Sequence, residues 1–378
     1  MAPSVLILGG TGFIGRNLVS YLVSENLAGA IRVVDKCMPE LAFLHPSHKK
    51  AFDDPRCEFR QGDVSRPAVA EKMFTRDDNS TFDYVFNLAA ETKYGLSEEI
   101  YEEKVYTLAI TVGKEAAKRG VKCFVQASTA QVYEAQDKKP AKEDHKIKPW
   151  TGIAKCLFKA EEELKKIPRL NLVIVRPAVV YGPGDIYGIT PRLIMGAIYR
   201  QLAQEMKLLW TASLKINTVH VSDVVRALWW VAATGDEKGG RKGAVVGGGE
   251  VYNLADGGDS NQETINTHIR SIFGITTGYQ GTIISSFAKL NLDSVTEDVN
   301  DMHLQPWADL CKAGGVANTP LSPYLDRELL KDNELYVDGG KIESTGFKYT
   351  HPTVTEASLR EVIDGFVEVG VWPKGTTK

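Results

Sequence analysis

Three glycines near the start of the chain have the spacing of a phosphate-binding loop. In "LILGGTGFIGRNL" they occupy positions 9, 12 and 15, after a segment typical of a strand and before a segment typical of a helix. Gly9 permits a tight turn, Gly12 lets the backbone approach a pyrophosphate, and Gly15 lets the helix pack closely on the strand. The free N–H groups of the helix N-terminus would then face the phosphates.

A carboxylate follows at the end of the second predicted strand, "IRVVD". Asp35 is placed to accept hydrogen bonds from both ribose hydroxyls of an adenosine and to repel a 2′-phosphate. The sequence therefore predicts NAD rather than NADP as cofactor, a preference that the adjacent Lys36 could soften. The alternative is that the glycines only make a turn and Asp35 only caps the next helix. The strand, the spacing and the acid favour the nucleotide site together.

Two further segments extend the predicted cofactor site. "GDV" closes the third predicted strand, where Asp63 could reach the adenine amino group, and "NLAAET" closes the fourth, where Ala89 and Ala90 leave room for the cofactor. Each segment alone is also ordinary for the end of a strand. The remaining residues predicted to line the cofactor are Phe13, Ile14, Val64, Leu88, Thr92, Pro177 and Val180.

The elements that position these residues alternate through the first 180 residues. Most of the predicted strands are continuous apolar segments, as expected of strands buried on both faces. They are "SVLIL", "IRVVD", "CEFRQ", "DYVFNLA", "CFVQAS" and "LVIVRPAVV". Helical patterns lie between them, such as "FIGRNLVSYLVSEN" and "YTLAITVGKEAAKRG", the second ending at a predicted C-cap, Gly120. This alternation predicts an α/β fold: a Rossmann-type doubly wound parallel sheet.

The pattern changes after "YGPGD" (181–185). A helical segment runs from Pro191 to about Lys207, "INTVHVSDVVRALWWVAA" predicts a strand and a helix, and "VYNLADGG" predicts a returning strand. The glycine-rich "GDEKGGRKGAVVGGGE" between them predicts a surface loop. We therefore expect an NAD-binding domain of residues 1–180, to which 217–256 return. Residues 181–216 and 257–378 would form a smaller C-terminal substrate-binding lobe over the edge of the sheet.

The composition argues against several classes of protein. A formal net charge of −3 with 25% charged residues gives no basic footprint for nucleic acid and no polybasic membrane patch. No apolar segment reaches the roughly 18 residues of a membrane span, and the N-terminus lacks a basic leader. Five scattered cysteines without CxxC favour a cytoplasmic protein with free thiols. The histidines, including the predicted loop "HPSH" (45–48), predict no metal site.

The ordered set of motifs resembles the extended short-chain dehydrogenase/reductase superfamily. Within it, the chain is similar to the NAD-dependent epimerase/dehydratase branch, which includes nucleotide-sugar epimerases and sterol-type dehydrogenases. The matching segments are "GGTGFIG", "GDV", "NLAAET", "ASTAQVY", "GIAKCLFKAEEEL", "RPAVVYGPGD" and "VHVSDVVRA". They cover residues 5 to about 256, and beyond 256 the resemblance concerns only the architecture, a variable substrate lobe.

The resemblance implies three catalytic positions. In the family, a tyrosine and a lysine four residues later share one helix face, beside a Ser or Thr that ends the fifth strand. The lysine holds the nicotinamide ribose and lowers the tyrosine's pKa, and the tyrosine moves the proton while hydride passes to or from the nicotinamide. Mapped onto this sequence, Thr129 takes the Ser/Thr role, Lys155 the lysine role, and Thr151 the tyrosine position. A threonine cannot act as a tyrosinate-like base, although it could relay a proton through water.

Other assignments stay open beside this one. Lys155 could be an ordinary exposed helix lysine, and Thr129 a plain strand-end residue. Tyr94 and Tyr187 lie in predicted loops at the ligand edge and could supply a displaced phenol. A further departure from the family is Lys104, which stands where an asparagine is usual.

Two hypotheses of function follow from these residues. The first is an NAD-dependent oxidoreductase or epimerase-like enzyme that acts on a hydroxyl or keto group of a small organic substrate. The alternative, favoured by the missing tyrosine, is an NAD-binding regulatory or scaffold protein with little or no turnover. Ala178 and Val179 stand where nucleotide-sugar enzymes often have an asparagine. This weakens the case for a nucleotide-sugar substrate and leaves a less polar alcohol, ketone or sterol-like substrate open. Related enzymes often dimerise through the helices near 100–118 and 151–166, so a homodimer is one possibility. The alternative is that the polar segments "EEIYEEK" and "KAEEELKK" are solvent-exposed faces.

Overall fold

The computed structural model of the protein describes residues 2–136, 138–233 and 248–378. Apolar segments of the first half form strands that are buried on both faces, and each residue of the first strand is buried. The strands are β1 (Ser4–Leu8), β2 (Ala30–Asp35), β3 (Cys57–Gln61), β4 (Tyr84–Asn87), β5 (Cys123–Ala127), β6 (Leu172–Pro177), β7 (Val179–Tyr181), β8 (Met206–Leu208), β9 (Thr218–His220), β10 (Glu250–Leu254) and β11 (Thr277–Tyr279).

Amphipathic helices connect these strands and cover the sheet. The α-helices are α1 (Phe13–Ser24), α2 (Pro46–Phe52), α3 (Pro67–Phe74), α4 (Glu98–Tyr101), α5 (Leu108–Arg119), α6 (Gly152–Leu164), α7 (Thr190–Leu202), α8 (Val221–Ala233), α9 (Gln262–Phe273), α10 (Thr282–Leu290), α11 (Leu292–Ala313), α12 (Gly340–Glu343) and α13 (Glu356–Val369). A π-helical turn over Glu102–Thr107 joins α4 to α5. Short 3₁₀ turns span Pro39–Leu41 and Ala130–Val132.

The central sheet is parallel, with the strand order β10-β6-β5-β4-β1-β2-β3. Helix α1 packs against α2 and α8, and α5 packs against α3 and α6. The order reverses between β1 and β4, and the crevice at such a switch point is where ligands bind in these folds. This architecture confirms the predicted Rossmann-type doubly wound parallel sheet.

The register brings the ends of three strands to one edge. Leu8 of β1 pairs with Val34 of β2 and with Asn87 of β4. The residues that follow these strands, including Gly9 and Asp35, therefore emerge side by side. The glycine loop and the acid predicted from the sequence meet for this reason.

The chain beyond β6 builds a second core. Strand β7 pairs with β9, and β8 pairs with β11. Helices α7, α9 and α13 bury apolar side chains against one another, among them Leu193, Ile265 and Leu359. Strand β10 returns to the central sheet beside β6. No helix in the described part of the chain combines the length and apolarity needed to cross a bilayer.

Several predicted boundaries differ from the structure. "LVIVRPAVV" forms two strands, because the chain changes partners at Ala178, whose N–H donates to Leu254, while Val179 donates to Asn217 beside β9. The helix predicted to reach about residue 207 ends at Leu202, where Ala203 adopts a left-handed φ of 52°. "HPSH" opens α2, with a proline in the first turn, instead of forming a loop. Residues 235–247 of the predicted surface loop lie outside the described residues.

Candidate active site

A cavity of about 810 Å³ runs along the carboxyl edge of the sheet, from the glycine loop into the C-terminal lobe. This volume falls within the range of roughly 300–1,000 Å³ that is typical of small-molecule sites. Thr129 lines the cavity, and so do all the residues predicted to line the cofactor except Lys155. They are Gly9, Gly12, Phe13, Ile14, Gly15, Asp35, Lys36, Asp63, Val64, Leu88, Ala89, Ala90, Thr92, Pro177 and Val180.

The glycine loop has a geometry that only glycine permits at two positions. Gly9 has a φ of +78°, and a Cβ there would lie 2.7 Å from the backbone of Leu88 and Ala89. A Cβ on Gly15 would lie 2.3 Å from the carbonyl oxygen of Gly9. Helix α1 begins directly after Gly12 and has no side-chain cap. Its first N–H groups are therefore available to an anion in the cavity, which fits a pyrophosphate.

The carboxylate of Asp35 is fixed by the backbone on both oxygens. The Thr11 N–H donates to Oδ2 over 3.1 Å, and the Cys37 N–H donates to Oδ1 over 3.1 Å. Asp35 is half-buried in the cavity wall. Each carboxylate oxygen has two lone-pair positions, so the group retains capacity to accept from a vicinal pair of hydroxyls.

Asp63 pairs with the lysine that departs from the family pattern. Its Oδ2 lies 3.1 Å from Nζ of Lys104, and its Oδ1 accepts from N and Oγ of Ser65 over 3.1 and 2.7 Å. Burial raises the pKa of the Asp63 carboxyl, but the hydrogen bonds from Ser65 and Lys104 outweigh burial and lower it to about 2. Asp63 is therefore a fixed anion at the predicted adenine end.

The rotation of α6 is set by a buried ion pair. Glu161 is fully buried, and its carboxylate accepts from Nε of Arg176 on β6 over 3.0 Å and from a second guanidinium nitrogen. The Ser128 hydroxyl, just after β5, donates to the same carboxylate. Removing either charged partner would leave the other buried and unpaired, which is strongly destabilising. This contact fixes the helix face that carries Glu161 against the sheet.

The residues one and two turns before Glu161 share its face because positions four apart are neighbours on a helix. They are Leu157 and Ile153, and both line the cavity. Lys155 lies about 200° around the helix from Ile153 at 100° per residue, and it is exposed and outside the cavity lining. The prediction that Lys155 faces the cofactor is therefore wrong.

Thr151 also stands outside the cavity. It is completely buried and serves as the N-cap of α6, where its Oγ1 accepts from the N–H of Ala154 over 3.1 Å. Its hydroxyl donates to Oε1 of Gln131 over 2.9 Å. Both interactions are internal to the protein, and Thr151 does not line the cavity. The placement of Thr151 at the reacting centre is therefore wrong as well.

Gln131 joins Thr151 to a phenol that lines the cavity. Its Nε2 donates to the Tyr94 hydroxyl over 3.1 Å, and Thr129, Gln131 and Tyr94 all line the cavity. Burial raises the pKa of Tyr94 to about 12, although the hydrogen bond from Gln131 opposes this. The phenol is therefore protonated at neutral pH. Tyr187 also lines the cavity, but 49% of its surface is exposed.

Several cavity residues escaped the sequence analysis. The position of Ile153 and Leu157 could have been predicted from two charged residues. Arg176 interrupts an otherwise apolar strand, and Glu161 follows Ile153 and Leu157 in an i, i+4 series, so a pair between Glu161 and Arg176 would turn this helix face toward the sheet. Gln131 stands inside the "ASTAQVY" motif. Arg192 and Lys331 belong to the lobe, whose local pattern gives no indication of a site. Among the described residues, no group of three or more His, Cys, Asp and Glu side chains is placed to bind a metal ion.

The fold and the cavity define a dinucleotide-binding protein of the Rossmann type. The model of the NAD dependent epimerase/dehydratase family matches residues 5–255. The chain belongs to this family, which confirms the predicted family resemblance and, at the level of the family, the prediction of NAD as cofactor.

Sequence relatives come from two branches of the family. A sterol-4-alpha-carboxylate 3-dehydrogenase (decarboxylating) from Candida albicans is 29% identical over 233 residues, which cover 58% of this chain and 63% of that protein. A dTDP-D-glucose 4,6-dehydratase from Mus musculus is 26% identical over 268 residues, which cover 67% of this chain and 68% of that protein. The chain thus matches less than two thirds of the length of the sterol dehydrogenase.

Solved structures share the fold over almost the whole chain. A dTDP-glucose 4,6-dehydratase from Bacillus anthracis in complex with NAD has a TM-score of 0.69 and 18% identity, covering 99% of this chain and 100% of that chain. The UDP-glucose 4-epimerase of Thermus thermophilus with NAD has a TM-score of 0.65 and 18% identity, covering 96% and 98%. These likenesses confirm the predicted fold class.

Proposed function

We propose that the protein is an NAD-dependent oxidoreductase or epimerase-like enzyme that acts on a hydroxyl or keto group of a small organic substrate. One observation carries the proposal: a single cavity joins the glycine loop and Asp35 to Thr129 and Tyr94. The relatives in sequence are themselves dehydrogenases, dehydratases and epimerases. This favours an enzyme over a scaffold.

The residues of this chain divide into a cofactor set and a proton set. The α1 N-terminus would hold the pyrophosphate and Asp35 the adenosine ribose. When bound, NAD supplies the hydride chemistry. Thr129 would donate a hydrogen bond to the substrate oxygen. Tyr94, oriented by Gln131, would give that oxygen its proton as the carbonyl is reduced.

The raised pKa of Tyr94 favours one direction of reaction. A neutral phenol donates a proton to a developing alkoxide at neutral pH, but it cannot accept one from an alcohol. We therefore expect ketone reduction to be nearly independent of pH between 7 and 9. Alcohol oxidation should rise roughly tenfold per pH unit toward the pKa of about 12. Initial rates in both directions across this range test the assignment, and a flat profile for oxidation would contradict it.

Tyr94→Phe removes the proposed acid while keeping the ring. Turnover should fall about 10²–10⁴-fold, the usual contribution of general acid catalysis, with NAD affinity nearly unchanged. Tyr187→Phe is the matched control and should retain full activity. Loss of activity in Tyr187→Phe with activity retained in Tyr94→Phe would transfer the role to Tyr187.

A second candidate function is an NAD-binding regulatory protein with little turnover. The observation that favours it is the apolar pair Ile153 and Leu157 on the cavity side of α6, because neither side chain can move a proton or bind a ribose hydroxyl. Tight NAD binding without reduction or oxidation of any alcohol, ketone or nucleotide sugar would select this candidate over the first.

The division of the chain remains a proposal. We expect residues 1–180 with 217–256 to bind NAD, and residues 181–216 with 257–378 to bind the substrate. Two separate hydrophobic cores support this division. One includes Val5 and Val33 of the central sheet, and the other includes Leu193 and Ile265 of the lobe. Limited proteolysis should first cut between these units, and substrate should protect the junction.

We also propose that the protein is a homodimer and that it is cytoplasmic. A homodimer through α5 and α6 would have twice the 41.6 kDa mass of the chain, which sedimentation at micromolar concentration measures directly. A sedimenting species of 41.6 kDa at that concentration would reject the dimer. The five cysteines are free, which supports a cytoplasmic location that imaging of a tagged protein can test.

A further inference from the structure

An arginine from the C-terminal lobe stands at the cavity without an acidic partner. Arg192, in the first turn of α7, lines the cavity. Its Nη2 donates to Oε1 of Gln262 over 3.2 Å. Its Nη1 is shielded from solvent and has no hydrogen-bond partner. A buried guanidinium normally has its donors satisfied, so an open donor in a ligand cavity calls for an acceptor.

The charge of Arg192 is also uncompensated. Within the described ranges, no carboxylate forms an ion pair with it, and burial lowers its pKa to about 10, with only the Tyr279 phenol opposing this. The guanidinium is still charged at neutral pH. The nearest acid along the chain, Asp185, accepts instead from the N–H groups of Gly188, Ile189 and Thr190. The positive end of the α7 dipole adds to the cost of a cation in this turn.

Gln262, the first residue of α9, holds Arg192 in position. Its Nε2 donates to the carbonyl oxygens of Leu209 and Thr211 over 2.8 and 3.1 Å, and Gln262 is buried. These two bonds fix the amide so that Oε1 faces the guanidinium. The arrangement orients Arg192 rigidly and leaves the second guanidinium nitrogen free.

Much of the cavity lining that the C-terminal lobe contributes is apolar. It includes Met195, Leu208, Leu209, Trp210 and Leu214. The two other lobe cations that line the cavity are engaged elsewhere: Lys215 pairs with Asp259 over 2.5 Å, and Lys331 donates to the Trp150 carbonyl oxygen over 3.2 Å. Arg192 differs from both because one of its guanidinium nitrogens has no hydrogen-bond partner.

We propose that Arg192 binds a carboxylate carried by an otherwise apolar substrate. The proposal rests on the proposed function, because it takes this cavity to be the substrate site. A guanidinium binds a carboxylate through two parallel N–H···O bonds, and one monoanion neutralises the guanidinium charge. A doubly charged phosphate would carry a second negative charge that Arg192 does not neutralise, so a carboxylate fits better.

The test uses the full chain and three probes: dodecanoate, dodecanamide and inorganic phosphate. Calorimetric titration of the parent protein, with and without NAD, should show dodecanoate binding at least about tenfold more tightly than dodecanamide. Arg192→Met should bring the two affinities within about twofold, while Arg192→Lys should keep part of the preference. Arg200→Met is the matched control, since Arg200 on the same helix donates to the Phe273 carbonyl and should behave as the parent does.

Folding and cofactor binding are monitored separately. Arg192→Met removes an unpaired buried charge, so the Tm of the ligand-free variant should equal or exceed that of the parent. NAD affinity should be the same in all variants. Absence of NAD binding in the parent would reject the proposed function without affecting the carboxylate comparison made in the absence of NAD.

Three results would overturn the carboxylate site. They are equal affinities of the parent for dodecanoate and dodecanamide, a preference that persists in Arg192→Met, and displacement of dodecanoate by phosphate at equal concentration. The last result would identify a phosphate site instead.

Discussion

Asp35 is the side chain that we expect to affect the choice between NAD and NADP most directly. Its two oxygens are held by the N–H groups of Thr11 and Cys37, so the carboxylate cannot turn away from a ligand without losing both bonds. A 2′-phosphate would therefore meet a fixed negative charge. The neighbouring Lys36 is exposed and is free to reach the same phosphate, so the two residues act in opposite directions.

Asp35→Ala should narrow the preference for NAD over NADP. One charge repulsion in a partly solvated site corresponds to about 1–3 kcal/mol, and the variant should lose most of this difference. Lys36→Met is the complementary change and should widen the gap. Calorimetric titration with both cofactors gives the comparison. Equal affinities of the parent protein for NAD and NADP would remove Asp35 from the ribose site.

Local sequence motifs are sufficient to predict the positions of some site residues and insufficient for others. Gly9 and Asp35 could be predicted because the turn after one strand and the end of the next carry their own sequence signals. The position of Lys155 could not, because it depends on how a helix is rotated against the sheet. That rotation follows from Glu161 and Arg176, which lie 15 residues apart in the chain and meet only in the folded protein.

At the scale of elements, α6 shows that the rotation of a helix about its axis decides which residues line the cavity. Residues 151, 155 and 159 form one i, i+4 series, and residues 153, 157 and 161 form another. Lys159 is exposed and pairs with Glu102 on the surface, while Glu161 is fully buried. The family motif predicted that the first series faces the cavity. The buried ion pair of Glu161 and Arg176 instead turns the second series toward it.

Paired variants in α6 test which of the two helix faces lies at the cavity. Lys155→Met should change neither Tm nor NAD affinity by a measurable amount, because Lys155 is exposed and outside the cavity. Leu157→Ala should lower stability by about 2–5 kcal/mol, since Leu157 is buried against Tyr101 and Val105. Thermal unfolding and NAD titration measure both effects. A large loss of NAD affinity in Lys155→Met would restore the original assignment.

The junction of β9 and β10 contains a buried acid. Asp256 follows β10, and its carboxylate accepts from the Thr218 hydroxyl of β9 over 2.7 Å and from the Gly258 N–H over 3.0 Å. Burial raises its pKa to about 6, against the effect of these two bonds, and Asp223 adds to the increase. The folded protein therefore holds this proton more strongly than the unfolded chain does.

Asp256→Asn should stabilise the protein at alkaline pH. Because the folded pKa of about 6 exceeds the unfolded value of about 3.9, the favourable contribution is complete below pH 4 and is lost as the pH rises through 6. Above pH 7 the ionised carboxylate costs about 1–3 kcal/mol. The Tm of the variant should exceed that of the parent at pH 8 and not at pH 4.5. An equal difference at both values would contradict the shift.

For the molecule as a whole, the alternation of strands and helices was sufficient to predict the sheet. Continuous apolar segments such as Ser4–Leu8 and Leu172–Pro177 are buried on both faces, which is a property of a doubly covered sheet. The lobe was predicted only in outline. Its contacts, such as Arg192 with Gln262, join residues far apart in the chain, and no local pattern specifies them.

Buried histidines make the whole fold sensitive to acid. His48, His220 and His303 each have a pKa lowered to about 4, mainly by burial. They lie in different parts of the molecule: His48 contacts Asn17 of α1, His220 stacks on His351 at 3.9 Å, and His303 contacts Tyr199 of α7. Protonation of any of them in place would put a charge into a buried position.

Stability should therefore fall as the pH decreases from about 6.5 to 4. In this window the unfolded chain binds protons on these side chains and the folded protein does not, so acid favours unfolding. Three such groups give a slope approaching about 4 kcal/mol per pH unit near pH 5. His303→Phe keeps a ring against Tyr199 and should reduce that slope by up to about one third, measured from urea unfolding at pH 5 and 7. An identical slope in His303→Phe and the parent would mean that His303 is already protonated in the folded state.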